Sequence, residues 1–148
     1  MTVKGKKVEV YLCAKGAAEA IEFYKKAFGA TETGARILDP QNRIGHAEFM
    51  IGDSVMMISD EHPEIGILSP LSLGGTPVNL MVHVDDAKAA FEQALAAGAS
   101  EVRALADQFY GERSGQIKDP FGFNWTISQH IEDVSPEEIE KRAKALYG

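Results

Sequence analysis

The stretch Ala27-Phe28-Gly29-Ala30-Thr31-Glu32 returns 69 residues later as Ala96-Ala97-Gly98-Ala99-Ser100-Glu101. Four of the six positions are identical, and Thr is exchanged for Ser at a fifth. In each copy the glycine stands where a helical pattern gives way to a strand pattern, the place of a helix C-cap. Arg43-Ile44-Gly45 then matches Arg113-Ser114-Gly115, and Ile51-Gly52 resembles Phe121-Gly122, both at an offset of 70. One such match would be chance in an alanine-rich chain. Three in order at nearly one offset, with a one-residue loop insertion, mark a duplicated β-α-β-β-β unit.

The flanking patterns supply the elements. From Val8 to Ala14 the residues Val8, Val10, Leu12 and Ala14 alternate with Glu9, Tyr11 and Cys13, which predicts a half-buried strand. Gly16 breaks it, and Ala17–Phe28 reads as an amphipathic helix with Ala20, Ile21, Tyr24 and Phe28 on one stripe. Strands are predicted over 31–38, 44–51 and 54–59, with Gly52-Asp53 as a tight turn between the last two. Residues 61–77, punctuated by Pro63, Gly66, Pro70, Gly74, Gly75 and Pro77, form a linker. The second module repeats the order. Val78, Leu80, Val82 and Val84 alternate with Asn79, Met81 and His83, and Asp85-Asp86 caps a helix over Ala87–Ala97 ended by Gly98. Strands follow near 101–105, 112–118 and 123–129, with Asp119-Pro120-Phe121-Gly122 as a turn. Ser135, Pro136 and Glu138 open a last helix in capping-box order. The domain plan is therefore one domain over 1–148: module one about 7–60, module two about 78–130 and a C-terminal helix about 135–147.

Composition removes several functions. The chain has 148 residues and a net charge of −7, with 45% hydrophobic residues, an ordinary globular mix. No apolar run approaches the roughly 20 residues of a membrane span, and the basic start Met1–Lys7 lacks the apolar core of a secretory signal. A cytoplasmic protein with no membrane partner is expected. The acidic balance argues against nucleic acid, which needs a basic face; the lysines cluster only at Lys4, Lys6, Lys7 and at Lys25, Lys26. The single Cys13 excludes an internal disulfide and any cysteine-rich metal site. A metal would have to use carboxylates and the four histidines, His46, His62, His83 and His130.

Three stretches carry a family resemblance: residues 18–30 (AEAIEFYKKAFGA), Gly45-His46-Ala47-Glu48-Phe49-Met50-Ile51-Gly52-Asp53-Ser54, and Phe109-Tyr110-Gly111-Glu112-Arg113-Ser114-Gly115 running into Asp119-Pro120-Phe121-Gly122. Together they resemble the vicinal oxygen chelate superfamily of glyoxalases, bleomycin-resistance proteins and extradiol dioxygenases, and within it the PhnB-like branch, also labelled 3-demethylubiquinone methyltransferase-like. The likeness covers about residues 8–130. It implies an α+β fold in which two βαβββ modules form a curved mixed sheet, with helices on the convex side, a concave ligand pocket and a homodimeric assembly. Strand alternation then assigns Glu9, Tyr11, Cys13, His46, Glu48, Met50, Asn79, Met81 and His83 to the cavity side.

In metal-dependent members four ligands come from the first and last strands of each module. By resemblance these positions fall on Glu9, Met57, Asn79 and Thr126. Only Glu9 is a good ligand; a thioether, a carboxamide and a hydroxyl suit neither Zn²⁺ nor Ni²⁺. A different set, His46, Glu48 and His83, is chemically sufficient for a two-histidine, one-carboxylate site. The reading preferred over that site is that the same three side chains hydrogen-bond one another or a ligand.

The expectation is a small-molecule-binding protein without the standard metal site and with no cofactor. Its pocket is lined by Glu9, Tyr11, His46, Glu48, Asn79, His83, Tyr110 and Arg113. His46 and Glu48 are the candidates for acid–base catalysis. The alternative is a metal-dependent lyase, isomerase or dioxygenase that uses a divalent metal on non-standard ligands. Arg113 either grips an anionic ligand or pairs with a surface carboxylate. Cys13 reads as a packed thiol rather than a nucleophile. Trp125 reads as core, His62 and His130 as solvent-side, and residues 137–142 as a solvated helix face.

Overall fold

The computed structural model describes residues 4, 5 and 7–148, so Met1, Thr2, Val3 and Lys6 of the basic N-terminal run lie outside the described residues. The first half runs β1 (Val10–Ala14), α1 (Ala17–Phe28), β2 (Thr31–Leu38), β3 (Ile44–Ile51) and β4 (Ser54–Asp60), then a 3-10 turn (Pro63–Ile65) and α2 (Pro70–Leu73). The second runs β5 (Asn79–His83), α3 (Ala87–Ala97), β6 (Ser100–Asp107), β7 (Glu112–Lys118), β8 (Asn124–His130) and α4 (Pro136–Tyr147). The chain divides into two compact units between Thr76 and Pro77. Each unit owns a four-stranded mixed sheet, ordered β1-β4-β3-β2 and β5-β8-β7-β6. In each, the first and last strands are parallel and the other pairings antiparallel. The α+β class and the repeated topology agree with the duplication read from the sequence.

In the first unit α1 buries Ala17, Ala20, Ile21, Phe23, Tyr24 and Ala27. They meet the sheet face that carries Leu12, Ala14, Ala47, Phe49 and Ile58, all buried. Tyr24 stacks on Phe49 with ring centroids 5.2 Å apart. Phe28, placed on the stripe by periodicity, is only half-buried, while Phe23 is buried. The helix stops at Gly29, whose φ of +68° suits glycine, with Gly29 N–H donating to Lys25 O and Ala30 N–H to Tyr24 O. At its other end Gly16 offers no side-chain cap; the Asp60 carboxylate takes the hydrogen of Ala17 N at 2.7 Å and of Ile44 N at 2.6 Å. Because side chains alternate along a strand, Tyr11, Cys13, His46 and Glu48 are left on the face away from α1.

In the second unit Asp86 caps α3 by accepting from Ala89 N at 3.0 Å. Helix α3 buries Ala87, Phe91 and Ala94, and the sheet contributes Leu80, Ile117, Trp125 and Ile127 to the core. The turn after β7 is built around Asp119, only 3% exposed. Its carboxylate accepts from Phe121 N, Phe123 N and Trp125 Nε1 at 2.9, 3.0 and 2.9 Å. Ser135 caps α4 through Glu138 N. The face read as merely solvated carries an anchor: Arg142 donates to Phe109 O at 3.0 Å and to both oxygens of Glu132.

Other expectations need correction. The first strand begins at Val10, and Val8 is 97% exposed, because the pairing with β4 that orders this edge strand starts at Val10 opposite Met56. Val78, assigned to an apolar face, lies before β5 and is exposed. The linker is not structureless: it holds the 3-10 turn, α2 and a His62–Ile67 bridge. Among the described residues no helix is long and apolar enough to cross a membrane.

Candidate functional site

Strands β1, β4 and β3 lie side by side, and their register pairs Tyr11 with Met57 and Met57 with Glu48. These residues share the face opposite α1, and His46 stands two residues before Glu48 on the same side. A hydrogen-bonded chain results. Tyr11 Oη lies 2.7 Å from His46 Nδ1, and His46 Nε2 lies 3.0 Å from Glu48 Oε1. The two rings are tilted, with centroids 5.5 Å apart. Tyr11 Oη also lies 3.3 Å from the carbonyl oxygen of Gly45. Partial burial raises the Tyr11 phenol above its ordinary pKa, and the Glu48 carboxylate adds to the effect, so the hydroxyl keeps its hydrogen.

Tyr11 and Gly45 open onto a cavity of about 490 Å³ that is also lined by Leu12, Cys13, Ser59, His62, Ile65 and Ile67. The linker forms one wall. His62, expected on the solvent side, is 9% exposed, with Nδ1 2.9 Å from Asp60 O and Nε2 3.6 Å from Asp39 Oδ2. The bridge to Ile67 turns its ring inward, and Ile65 and Ile67 supply apolar surface that the sequence break concealed. Glu61 steadies this segment by accepting from Ser69 N and from Ser72 Oγ at 2.8 Å.

Cys13 sits half-buried on the cavity wall. Burial pushes its thiol up to about 11, with Glu61 adding to the shift and a hydrogen bond from Ser59 opposing it. Only the thiolate reacts. Alkylation by iodoacetamide at pH 8 is therefore expected to run roughly two orders of magnitude slower than for an ordinary thiol. The rate should climb about tenfold per pH unit up to pH 10. Mass spectrometry of quenched time points measures it; a rate that levels off near pH 8.5 would contradict the assignment.

The other sequence-selected residues have the following partners within their own units. Glu9 precedes β1 and pairs with Lys7. In the second unit Asn79 Oδ1 accepts from Gln116 Nε2 at 3.2 Å, and His83 ends β5 exposed. Tyr110, 41% exposed, meets Phe109 edge-on. Arg113, which the sequence left between an anionic ligand and a carboxylate, binds Asp107 through Nε at 2.6 Å and Nη2 at 3.3 Å. His130 is exposed between Asp133 and Glu112, and the hydrogen bonds it donates to these carboxylates raise its pKa. A cleft of about 640 Å³ beside the start of α1 contains Lys15, Arg36 and Arg43. Arg36 is held by Glu32, and Arg43 by Asp39 and Glu64.

The side chains at the positions that the resemblance implies for a metal, Glu9, Met57, Asn79 and Thr126, are poor donors. Met57 lies between Tyr11 and Glu48, Thr126 between Met81 and Gln116, and Asn79 is engaged with Gln116. The one carboxylate, Glu9, holds Lys7. Thioether, hydroxyl and amide oxygens with a single carboxylate do not suit Zn²⁺ or Ni²⁺. Among the described residues, no group of three or more His, Cys, Asp or Glu side chains gathers as a ligand cluster. Both ring nitrogens of His46 are engaged by Tyr11 and Glu48.

Sequence reasoning missed Asp60, Ser59, Ile65 and Ile67. Ile65 and Ile67 carried a signal, two aliphatic residues flanking Gly66 in an otherwise punctuated segment. Asp60 carried none, because its partners are backbone N–H groups of residues 17 and 44.

Comparison with known proteins places the chain. The model of the Glyoxalase/Bleomycin resistance protein/Dioxygenase superfamily matches residues 8–127. An uncharacterized protein of Mycobacterium bovis is 41% identical over 133 residues, covering 88% of this chain and 87% of its own. Among solved structures, a gene product of Arabidopsis thaliana is 28% identical with a TM-score of 0.67, covering 84% of this chain and 98% of that one. A Bacillus cereus protein described as a putative 3-demethylubiquinone-9 3-methyltransferase, PhnB protein, shares the fold with a TM-score of 0.62 at 20% identity, covering 84% and 99%. The chain belongs to the Glyoxalase/Bleomycin resistance protein/Dioxygenase superfamily.

Proposed function

We propose that this chain is a small-molecule-binding protein of the PhnB-like branch that works without the superfamily's usual metal quartet, and that it acts as a homodimer. The observation that carries the reading is the cavity of about 490 Å³ that ends on the Tyr11–His46–Glu48 chain. Small-molecule sites combine apolar walls with a few convergent polar groups, and Leu12, Ile65 and Ile67 beside Tyr11 and Gly45 meet that description. His46 and Glu48 stand behind Tyr11 and orient it. The superfamily membership supports the small-molecule part of the reading, and the unsuitable donors at Glu9, Met57, Asn79 and Thr126 support the metal-free part.

Thermal denaturation against a library of small, largely apolar compounds tests it. A compound that occupies the cavity at about a hundred times its Kd stabilises by about 2.7 kcal/mol. Ile67→Trp, which fills the cavity from the linker side, is expected to abolish the shift while the protein stays folded. Shifts that persist in Ile67→Trp would place binding elsewhere, and a library without a single stabiliser would remove the reading. Metal analysis of untagged protein is expected to find far less than one equivalent. Light scattering after gel filtration is expected to give twice the monomer mass.

A further inference from the structure

The hydrogen bonds of the Tyr11–His46–Glu48 chain can run in only one direction when the imidazole is neutral. A carboxylate only accepts, so His46 Nε2 carries the hydrogen donated over 3.0 Å to Glu48 Oε1. A neutral ring has one N–H, so Nδ1 is bare and accepts from the Tyr11 hydroxyl at 2.7 Å. The phenolic hydrogen is thereby committed away from the cavity, and the lone pairs of Tyr11 Oη remain. Beside them, 3.3 Å away, is the carbonyl oxygen of Gly45, on a residue that also lines the cavity. In register, Ile37 on β2 faces His46, while Glu48 has Met57 on β4 and Thr33 on β2; a threonine hydroxyl that donates to the carboxylate leaves Glu48 an acceptor.

The rest of the lining sharpens the demand. His62 Nδ1 and the Cys13 thiol are both directed to the carbonyl of Asp60, at 2.9 and 3.8 Å, and the Ser59 hydroxyl is engaged with that thiol. Among the described residues that line the cavity there is no Lys, Arg, Asp or Glu. An anionic ligand would set its oxygens against two acceptors, and the one lining ring able to carry charge, His62, is already turned to Asp60 O and Asp39 Oδ2. A cationic ligand would lose its hydration against Leu12, Ile65 and Ile67 without a carboxylate in the wall. A carbonyl or ether would add a third acceptor to two. A neutral hydroxyl donor satisfies the pair.

Resting on the small-molecule reading above, we propose that this cavity selects compounds with a neutral hydroxyl on an apolar body, phenols foremost, over their carbonyl, ether and carboxylate analogues. Tyr11 Oη and Gly45 O receive the hydroxyl. His46 and Glu48 are positioning residues that dictate which way the Tyr11 hydrogen points.

Calorimetric titration of the full chain with 2-naphthol, 2-methoxynaphthalene and 2-naphthaldehyde tests this, because the three share one apolar body. In the wild type 2-naphthol is expected to bind about tenfold tighter than either analogue, the scale of one hydrogen bond made against acceptors left unmet. Tyr11→Phe should weaken 2-naphthol nearly to the affinity of the methyl ether while the ether binds no more weakly than to the wild type, which reports an intact cavity. Glu48→Gln replaces an obligate acceptor by an amide that can donate to Nε2 and reverse the chain. Its naphthol-to-aldehyde and naphthol-to-ether ratios should both fall several-fold, the two acceptor analogues gaining together, a selectivity change that loss of structure would not produce. Equal binding of naphthol and ether, tighter binding of the aldehyde, or a preference that survives Tyr11→Phe would each overturn the proposal. If library compounds bind in a manner lost in Ile67→Trp yet show no preference for a hydroxyl, the cavity reading stands and this proposal alone falls. If nothing enters the cavity, both fall.

Discussion

Asp119→Ala is expected to destabilise the protein by about 4 kcal/mol or more, since hydrogen bonds to a charged group each contribute roughly 1.5–3 kcal/mol. The carboxylate is 3% exposed and receives the hydrogens of Phe121 N, Phe123 N and Trp125 Nε1. Alanine leaves all three donors inside without water to replace the acceptor, and the cost of an unmet buried donor exceeds the net gain of a made bond. In a chain of this length the melting midpoint should fall by roughly 10 °C, measured by circular dichroism or calorimetry. Asp119→Asn separates the contributions. Its carbonyl oxygen can keep the two backbone donors that share Oδ1, but its amide then faces the indole N–H, donor against donor. Trp125→Phe should therefore be less damaging when combined with Asp119→Asn than in the wild type. A midpoint within 2 °C of wild type for Asp119→Ala would contradict this account of the turn.

Asp60→Ala is expected to cost roughly 2 to 3 kcal/mol, less than Asp119→Ala because the side chain is half-buried and water can reach the freed donors. Its larger consequence is functional. One oxygen holds Ala17 N at the start of α1, and the other holds Ile44 N at the start of β3, directly before Gly45 and His46. Loosening that strand end moves the Gly45 carbonyl and the imidazole that orients Tyr11. Binding of a cavity ligand should weaken about tenfold, which corresponds to 1.4 kcal/mol, even under conditions where the protein remains fully folded. Titration of Asp60→Ala and of Asp60→Asn beside the wild type checks it. Unchanged affinity in both would show that β3 does not need this tether to present the site.

Much of the fold was legible because it rests on local periodicities. The alternation of Val10, Leu12 and Ala14, the helix over Ala17–Phe28 with Gly29 behind it, and the 69-residue echo of that junction each depend on residues a few positions apart. The faces were legible for the same reason: period-two alternation separates Ala47 and Phe49 from His46 and Glu48 without knowledge of any partner. What could not be read was anything that depends on which residues the folded chain brings across. Val8 continues the alternation but precedes Val10, where the pairing with β4 starts, and Val78 lies before β5. His62 was read outward because its segment has no period; a bridge to Ile67 turns it inward.

The sequence by itself therefore determined the duplicated βαβββ plan, the family, and the side of the sheet on which Tyr11, His46 and Glu48 stand. Only the tertiary structure decided that Tyr11 meets His46 from 35 residues away, that the linker closes a cavity over Cys13 and Ser59, and that Arg113 goes to Asp107. The physical reason is range. Propensity and hydrophobic period act over a helical turn or a strand pleat, whereas a hydrogen bond between distant residues exists only once strand register has set the two groups opposite each other. Here the pairing of Tyr11 with Met57, and of Met57 with Glu48, is what brings the phenol to the imidazole.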